Sequence, residues 1–110
     1  MLCMKFWLDD MRPAPEGYAW IKDVYSAKRE IEHCEKMKRF FPKKTDWDIE
    51  VIDIDHDAGF YAQFGGDYIR LLDWLEETGR NYPIRIHSMN PVGVANMRAI
   101  IERNGWTEVR

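Results

Sequence analysis

Residues 49–59 read I-E-V-I-D-I-D-H-D-A-G. The first half is apolar and β-branched, the composition of a buried strand. The second half carries acids, a histidine and a glycine, as a strand does when it runs into a turn. A fold that sets Asp53, Asp55, His56 and Asp57 beside a core strand must neutralise, hydrate or metallate them, because an unpaired buried carboxylate is costly. On either side, two further segments share this grammar: residues 4–10 (M-K-F-W-L-D-D) and residues 84–88 (I-R-I-H-S). Three apolar strands that each end in ionisable side chains point to a site.

With 110 residues the chain is read as a single domain, residues 1–110, long enough for a real core but not for two. Its aromatic content of 14% is rather high and no segment is low in complexity, so a folded globular protein is expected. No apolar run approaches the roughly 20 residues of a membrane span. No basic-then-apolar leader opens the sequence either, so a cytoplasmic protein without membrane contact is expected. Cys3 and Cys34 lack C-x-x-C spacing and read as reduced thiols. The net charge of −3 argues against wholesale nucleic-acid binding. Even so, Lys22, Lys28, Arg29, Lys36, Lys38, Arg39, Lys43 and Lys44 supply half of the 16 basic residues. They form either a patch facing phosphates or, more simply, the solvated face of a helix.

Along the chain, residues 1–8 are expected to form a first strand with Asp9-Asp10 at its carboxyl end. Residues 11–17 (M-R-P-A-P-E-G) make a Pro/Gly-punctuated loop, and residues 18–22 a short second strand. Ser26 suits an N-cap, and Ala27, Ile31, Cys34, Met37 and Phe41 follow at helical spacing, giving a helix to about residue 40. After the strand over 49–55, a Gly- and aromatic-rich loop covers 58–66. Asp67 opens a helix with Tyr68, Leu71, Leu72 and Leu75 on its apolar face, closed by Thr78-Gly79. A strand over 84–87 leads to a last helix that starts at Asn90-Pro91, turns Val94, Met97 and Ile101 inward and stops at Asn104-Gly105. A terminal strand is expected over 106–109. Strands separated by helices imply a mainly parallel sheet, covered on both faces, in an α/β three-layer sandwich. In such sheets ligands bind outside the carboxyl ends of the strands, where strand order reverses. All the polar clusters fall there.

Asp9, Asp10 and Asp55, with Asp57 beside them, form an all-oxygen cluster suited to Mg²⁺ or Mn²⁺, which would grip a phosphate. Alternatively Asp9 and Asp10 pair with Arg12 and cap the turn. Asp53 points away from its strand neighbours and is the weaker candidate. A single histidine at a strand end is well explained by a backbone hydrogen bond. His56 and His87 at one sheet edge suggest instead a general base and a general acid flanking one phosphorus. Ser88 and Asn90 sit where a strand meets a helix N-terminus and free N–H groups favour an anion, although Asn90 also suits a plain N-cap. Arg12 is either a bidentate phosphate clamp or the neutralising partner of Asp10. Gly59, Gly65 and Gly66 have no phosphate-loop spacing and read as turns.

The L-D-D at 8–10, the strand ending in Asp55 and the hydroxyl after a later strand resemble the receiver domain of response regulators. L-D-D-M-R-P-A-P-E-G, I-D-H-D-A-G and H-S-M-N-P-V-G-V-A-N-M are closer to a divergent branch, the cyclic-phosphate processing receiver-like domain. That resemblance covers nearly the whole chain. It implies a receiver-like (flavodoxin-like) fold with abbreviated elements and action on cyclic phosphate ends in RNA repair. It also implies a metal held by Asp9, Asp10 and Asp55, with His56, Asp57, His87 and Ser88 around the phosphate. Ordinary receivers carry no such histidines, and they keep a Lys-Pro after the fifth strand that this sequence does not show. Which of His87 and Ser88 takes the family's hydroxyl position stays open. The expected function is a metal-dependent phosphoesterase acting on a phosphate ester such as a 2′,3′-cyclic RNA terminus. The alternatives are a receiver-like module phosphorylated on Asp55 and a binding module for RNA ends.

Overall fold

Phe6 and Leu8 in one central strand and Ile52 and Ile54 in the other put apolar side chains at alternate positions, and that alternation gives the sheet one face to bury. The computed structural model describes residues 3–110. Strands β1 (Met4–Leu8), β2 (Ala19–Ile21), β3 (Ile49–Ile54) and β4 (Ile84–Ile86) form one parallel sheet in the order β2-β1-β3-β4. Residues 1 and 2 of the expected first strand lie outside the described residues. The expected terminal strand is reduced to a single parallel bridge between Ile84 and Glu108. It is held by the Ile84 N–H on the Thr107 carbonyl (3.0 Å) and the Val109 N–H on the Ile84 carbonyl (2.7 Å).

Phe6, Leu8, Ile52, Ile54 and Ile84 point to one side, where they share one buried cluster with all three helices. Helix α1 (Val24–Phe40) contributes Ala27, Ile31 and Cys34, and α2 (Ile69–Glu77) contributes Leu71, Leu72 and Leu75. From α3 (Pro91–Asn104) come Met97, Ile100 and Ile101. The receiver-like α/β architecture is therefore present in abbreviated form. Among the described residues no helix covers the other face. There Trp7 lies 8% exposed, its indole N–H donating to the Arg12 carbonyl (2.9 Å) and its ring edge-on to Tyr18. The Pro-rich segment after β1 supplies this cover in place of a helix, since prolines at 13 and 15 remove backbone donors.

Several local expectations need correction. Asp23, not Ser26, caps α1: its carboxylate accepts from the Ser26 N–H (2.9 Å) and the Ser26 hydroxyl (2.7 Å). Asp67 does not cap α2; it accepts from the Ala58 N–H (2.9 Å) and so ties down the β3–α2 connection. That connection contains a 3₁₀ turn over Gly59–Gln63. Phe41 is exposed and Val94 only half-buried, whereas Gly93 and Ile100 join the buried face of α3. Asn90 caps α3 as expected, accepting from the Gly93 N–H (3.0 Å), and Gly105 ends it at φ 65°.

The far end of α1 is anchored by Glu35, which holds Arg80 through two nitrogens (2.9 Å each) and accepts from the Tyr82 hydroxyl. Burial alone would raise the Glu35 pKa. The bonds from Arg80 and Tyr82 outweigh it and hold the carboxyl below its ordinary 4.5. A carboxylate with a lowered folded pKa stabilises the fold above its unfolded value, and that stability is lost as pH falls through the folded one. Urea midpoints measured from neutral pH down through about pH 4 to 3 should therefore fall less steeply in Glu35→Gln than in the native chain. Parallel pH profiles would refute this contribution. No helix among the described residues is long and apolar enough to cross a membrane. Cys3 and Cys34 are both free, and burial lifts the Cys34 thiol to about 11.

Candidate active site

Because β1 has β2 on one side and β3 on the other, the strand order reverses between the carboxyl ends of β1 and β3. Asp9 and Asp10 leave β1 there, and Asp55, His56 and Asp57 leave β3. His87 leaves β4 on the same rim. Trp7, Asp53 and Arg85 lie side by side in the sheet, on the face away from the helices. The next odd positions, Asp9, Asp55 and His87, continue that face beyond the strand ends.

His87 is gripped at both ring nitrogens. Its Nδ1 lies 2.6 Å from Asp53 Oδ1 and its Nε2 3.0 Å from Asp9 Oδ2. The Trp7 indole stacks flat on the imidazole, with centroids 3.7 Å apart and planes at 6°. Asp53 is fully buried and gives its second oxygen to Arg85 at 3.0 Å. Asp53 is absent from the groups that could hold an ion, in keeping with its reading as the weaker candidate there, but it holds the His87 ring, a role the sequence reading did not give it. The alternation that turned it from its neighbours gives it the same face as Asp55, and Arg85 has the same face as His87. That shared parity was the available signal. Trp7 and Arg85 are further participants that the sequence reading missed.

Asp9, only 1% exposed, is held from below as well. Its Oδ1 accepts from the backbone N–H groups of Met11 (2.9 Å) and Arg12 (2.8 Å). Burial pushes the Asp9 pKa up, but those two bonds and His87 together bring it below 3.8. Under this cluster sits Tyr68, fully buried, its hydroxyl donating to the Lys22 carbonyl at 2.8 Å. Burial and the charges of Asp10, Asp9 and Asp55 drive its pKa up, so the phenol stays protonated.

Asp55 accepts the His56 N–H at 2.7 Å through Oδ1 and keeps its other oxygen without a partner among the described residues. His56 belongs to a second, separate arrangement. Its Nδ1 faces Asp57 at 2.9 Å, and the Asn90 amide donates to Asp57 at 3.3 Å. These bonds, His56 foremost, hold the Asp57 carboxyl below its ordinary value. The His56 ring rests on Gly93 in the first turn of α3. A Cβ there would stand 2.4 Å from the ring's Cγ. Gly93 thus seats His56, a tertiary role with no local signature.

One ligand atom each from Asp9, Asp55 and His87 falls within 4.8 Å of the others, and the same holds for His56, Asp57 and Asp67. Asp10 belongs to neither group. Its carboxylate lies against Gly59, where a Cβ would come within 2.4 Å of Oδ2 and where φ is +55°. Ser88 accepts the Asn90 N–H at 3.2 Å. Arg12 is exposed, and its guanidinium makes no ion pair with the described residues, so it does not neutralise Asp10.

The family model of the Cyclic-phosphate processing Receiver domain matches residues 4–103. The chain belongs to this family. Neither a curated protein nor a solved structure shows a match. In this receiver the residues fit a divalent cation in part: Asp9 and Asp55 bring carboxylate oxygens near each other, while Asp10 is turned toward Gly59 and the third group within reach is His87. The basic run starts just before α1 with Lys22, whose ammonium lies 4.4 Å from the Trp20 ring. A helix of 17 residues carries its later members about 25 Å away, toward the opposite end of the sheet.

Proposed function

We propose that the chain is a metal-dependent phosphoesterase that opens cyclic phosphates, with 2′,3′-cyclic ends of RNA or nucleotides as the substrate class. The observation that carries this reading is the meeting of a compact Asp9–Asp55–His87 group with a separately held His56–Asp57 pair at one sheet edge. Membership in a cyclic-phosphate family supports the substrate class. A Mg²⁺ or Mn²⁺ ion bound there would withdraw charge from the phosphoryl oxygens.

The two histidines have different freedoms. His87 has no ring nitrogen left for substrate, since Asp53 and Asp9 occupy both. His56 has its Nδ1 oriented by Asp57, and its Nε2, which has no hydrogen-bond partner among the described residues, would exchange the proton. In this reading His56 takes a proton from the attacking water. A new P–O bond forms as the bond to one ribose oxygen breaks, and that oxygen takes its proton from solvent. In this reading Ser88 and the exposed Arg12 would contact the phosphate, and Asn90, whose amide already holds the Gly93 N–H and Asp57, would add a contact only through its remaining N–H. RNA itself would be held mainly at its terminus, because most of the basic run of α1 lies far from the site.

Turnover of a nucleoside 2′,3′-cyclic phosphate tests this, assayed with Mg²⁺, with Mn²⁺ and with chelator. Opening is expected only with metal, to be abolished in Asp55→Ala and slowed about 10²- to 10⁴-fold in His56→Ala. Full activity in His56→Ala would sink the assignment of the proton-transfer residue. A second reading, phosphorylation on Asp55, is favoured by that residue's unpartnered oxygen. It requires a stable mass increase with a small phosphodonor that is absent from Asp55→Ala.

A further inference from the structure

We infer that His87 is a metal ligand, its Nε2 completing with Asp9 and Asp55 a mixed nitrogen–oxygen site for a divalent transition ion. This rests on the metal-dependent reading above and departs from an all-aspartate site.

The argument begins on the far side of the ring. A buried carboxylate on the other nitrogen is the arrangement that fixes tautomer and orientation in metal-bound histidines and raises their basicity. Asp53 occupies that position, fully buried and 2.6 Å from Nδ1. Trp7, parallel to the ring at 3.7 Å, opposes any tilt, and the His87 side chain is only 9% exposed. With Nδ1 donating to Asp53, an ion bound here would take the place of the proton between Nε2 and Asp9 Oδ2, that proton leaving to solvent, and the Nε2 lone pair would face the ion.

Distances agree. Two ligand atoms at right angles around an ion with bonds of about 2.1 Å stand about 3 Å apart. Nε2 and Asp9 Oδ2 are separated by 3.0 Å, a spacing that suits adjacent positions in one coordination sphere. Asp9 cannot swing aside, because two backbone N–H groups hold its Oδ1. Asp55 brings the third donor within 4.8 Å of both. Three protein ligands leave positions open for water and a phosphoryl oxygen. An imidazole in the set favours Mn²⁺, Co²⁺ or Zn²⁺ over Mg²⁺, which prefers oxygen alone.

The test uses the full chain with Mn²⁺ and no substrate, read by calorimetric titration and by electron spin-echo spectroscopy for nitrogen coupled to the bound ion. Nitrogen modulation is expected in the native protein and in His56→Ala, and its loss in His87→Gln. Asp53→Asn should keep a folded circular-dichroism spectrum and lower Mn²⁺ affinity about 10- to 100-fold, which serves if His87→Gln fails to fold. Mn²⁺ bound without nitrogen modulation, modulation that survives His87→Gln or vanishes in His56→Ala, or unchanged affinity in Asp53→Asn overturns the assignment of His87 and leaves the metal-dependent function standing. If the native chain binds no Mn²⁺, both fall.

Discussion

Gly93→Ala is expected to destabilise the protein by about 1–2 kcal/mol and to cut cyclic-phosphate turnover about 100-fold, although alanine is the better helix former. In an ordinary helix interior the exchange would gain close to 1 kcal/mol. Here the added Cβ would lie 2.4, 2.6 and 2.9 Å from Cγ, Cδ2 and Cβ of His56. Overpacking of that kind costs about 1–3 kcal/mol, enough to reverse the sign. The ring has little room to retreat, because its Nδ1 is tied to Asp57 and its carbonyl accepts the Tyr68 N–H at 3.0 Å. A double-mutant cycle separates the clash from any general effect on α3. In a His56→Gly background the three nearest contacts vanish, and Gly93→Ala should become neutral or stabilising in urea unfolding. Equal destabilisation in both backgrounds would show that Gly93 matters to the helix and not to the histidine.

The second large effect is expected at Asp53. Replacing it by alanine removes the buried acceptor of His87 Nδ1 and the partner of Arg85 together. Breaking a buried charge pair by deleting one member costs about 3–5 kcal/mol, and the half-exposed Arg85 recovers part of that from water. A loss near 3 kcal/mol in urea denaturation is therefore the expectation for Asp53→Ala. Arg85→Ala should cost under about 1 kcal/mol, as for a pair with one arm in solvent. Comparable losses in the two variants would mean that Asp53 serves the Arg85 pair alone and that the hold on His87 adds nothing.

Both residues mark the boundary of what could be read in advance. Elements whose signal is local were legible: the β3 strand, the Asn90-Pro91 start of α3, the Gly105 stop and the apolar face of α2. So was the gathering of acids and histidines at one edge, because parallel strands joined by helices put all their carboxyl ends together. What could not be read depends on register. Asp53 meets His87 across 34 residues of chain, and only the pairing of β3 with β4 brings them side by side. Gly93 meets His56 across a helix–loop contact that no spacing rule encodes. The Asp23 cap was hidden for a simpler reason. Both Asp23 and Ser26 suit the first turn, and their mutual bonds decide which is the cap. The second layer of helices was expected from the general habit of parallel sheets, and here Trp7 and the segment after β1 stand in its place.

The central strands carry two messages in alternate letters. At even positions stand Phe6, Leu8, Ile52, Ile54 and Ile84, which hold the helices; at odd positions stand Trp7, Asp9, Asp53, Asp55, Arg85 and His87. Substitutions can respell either message without touching the other, so robustness and chemistry are open to separate revision on the same backbone. Insertion or deletion of one residue within a strand has no such freedom. It exchanges the messages, sending carboxylates among the isoleucines and isoleucines to the rim. Change in this scaffold is therefore confined to replacement in the strands, and differences of length belong to the loops between them.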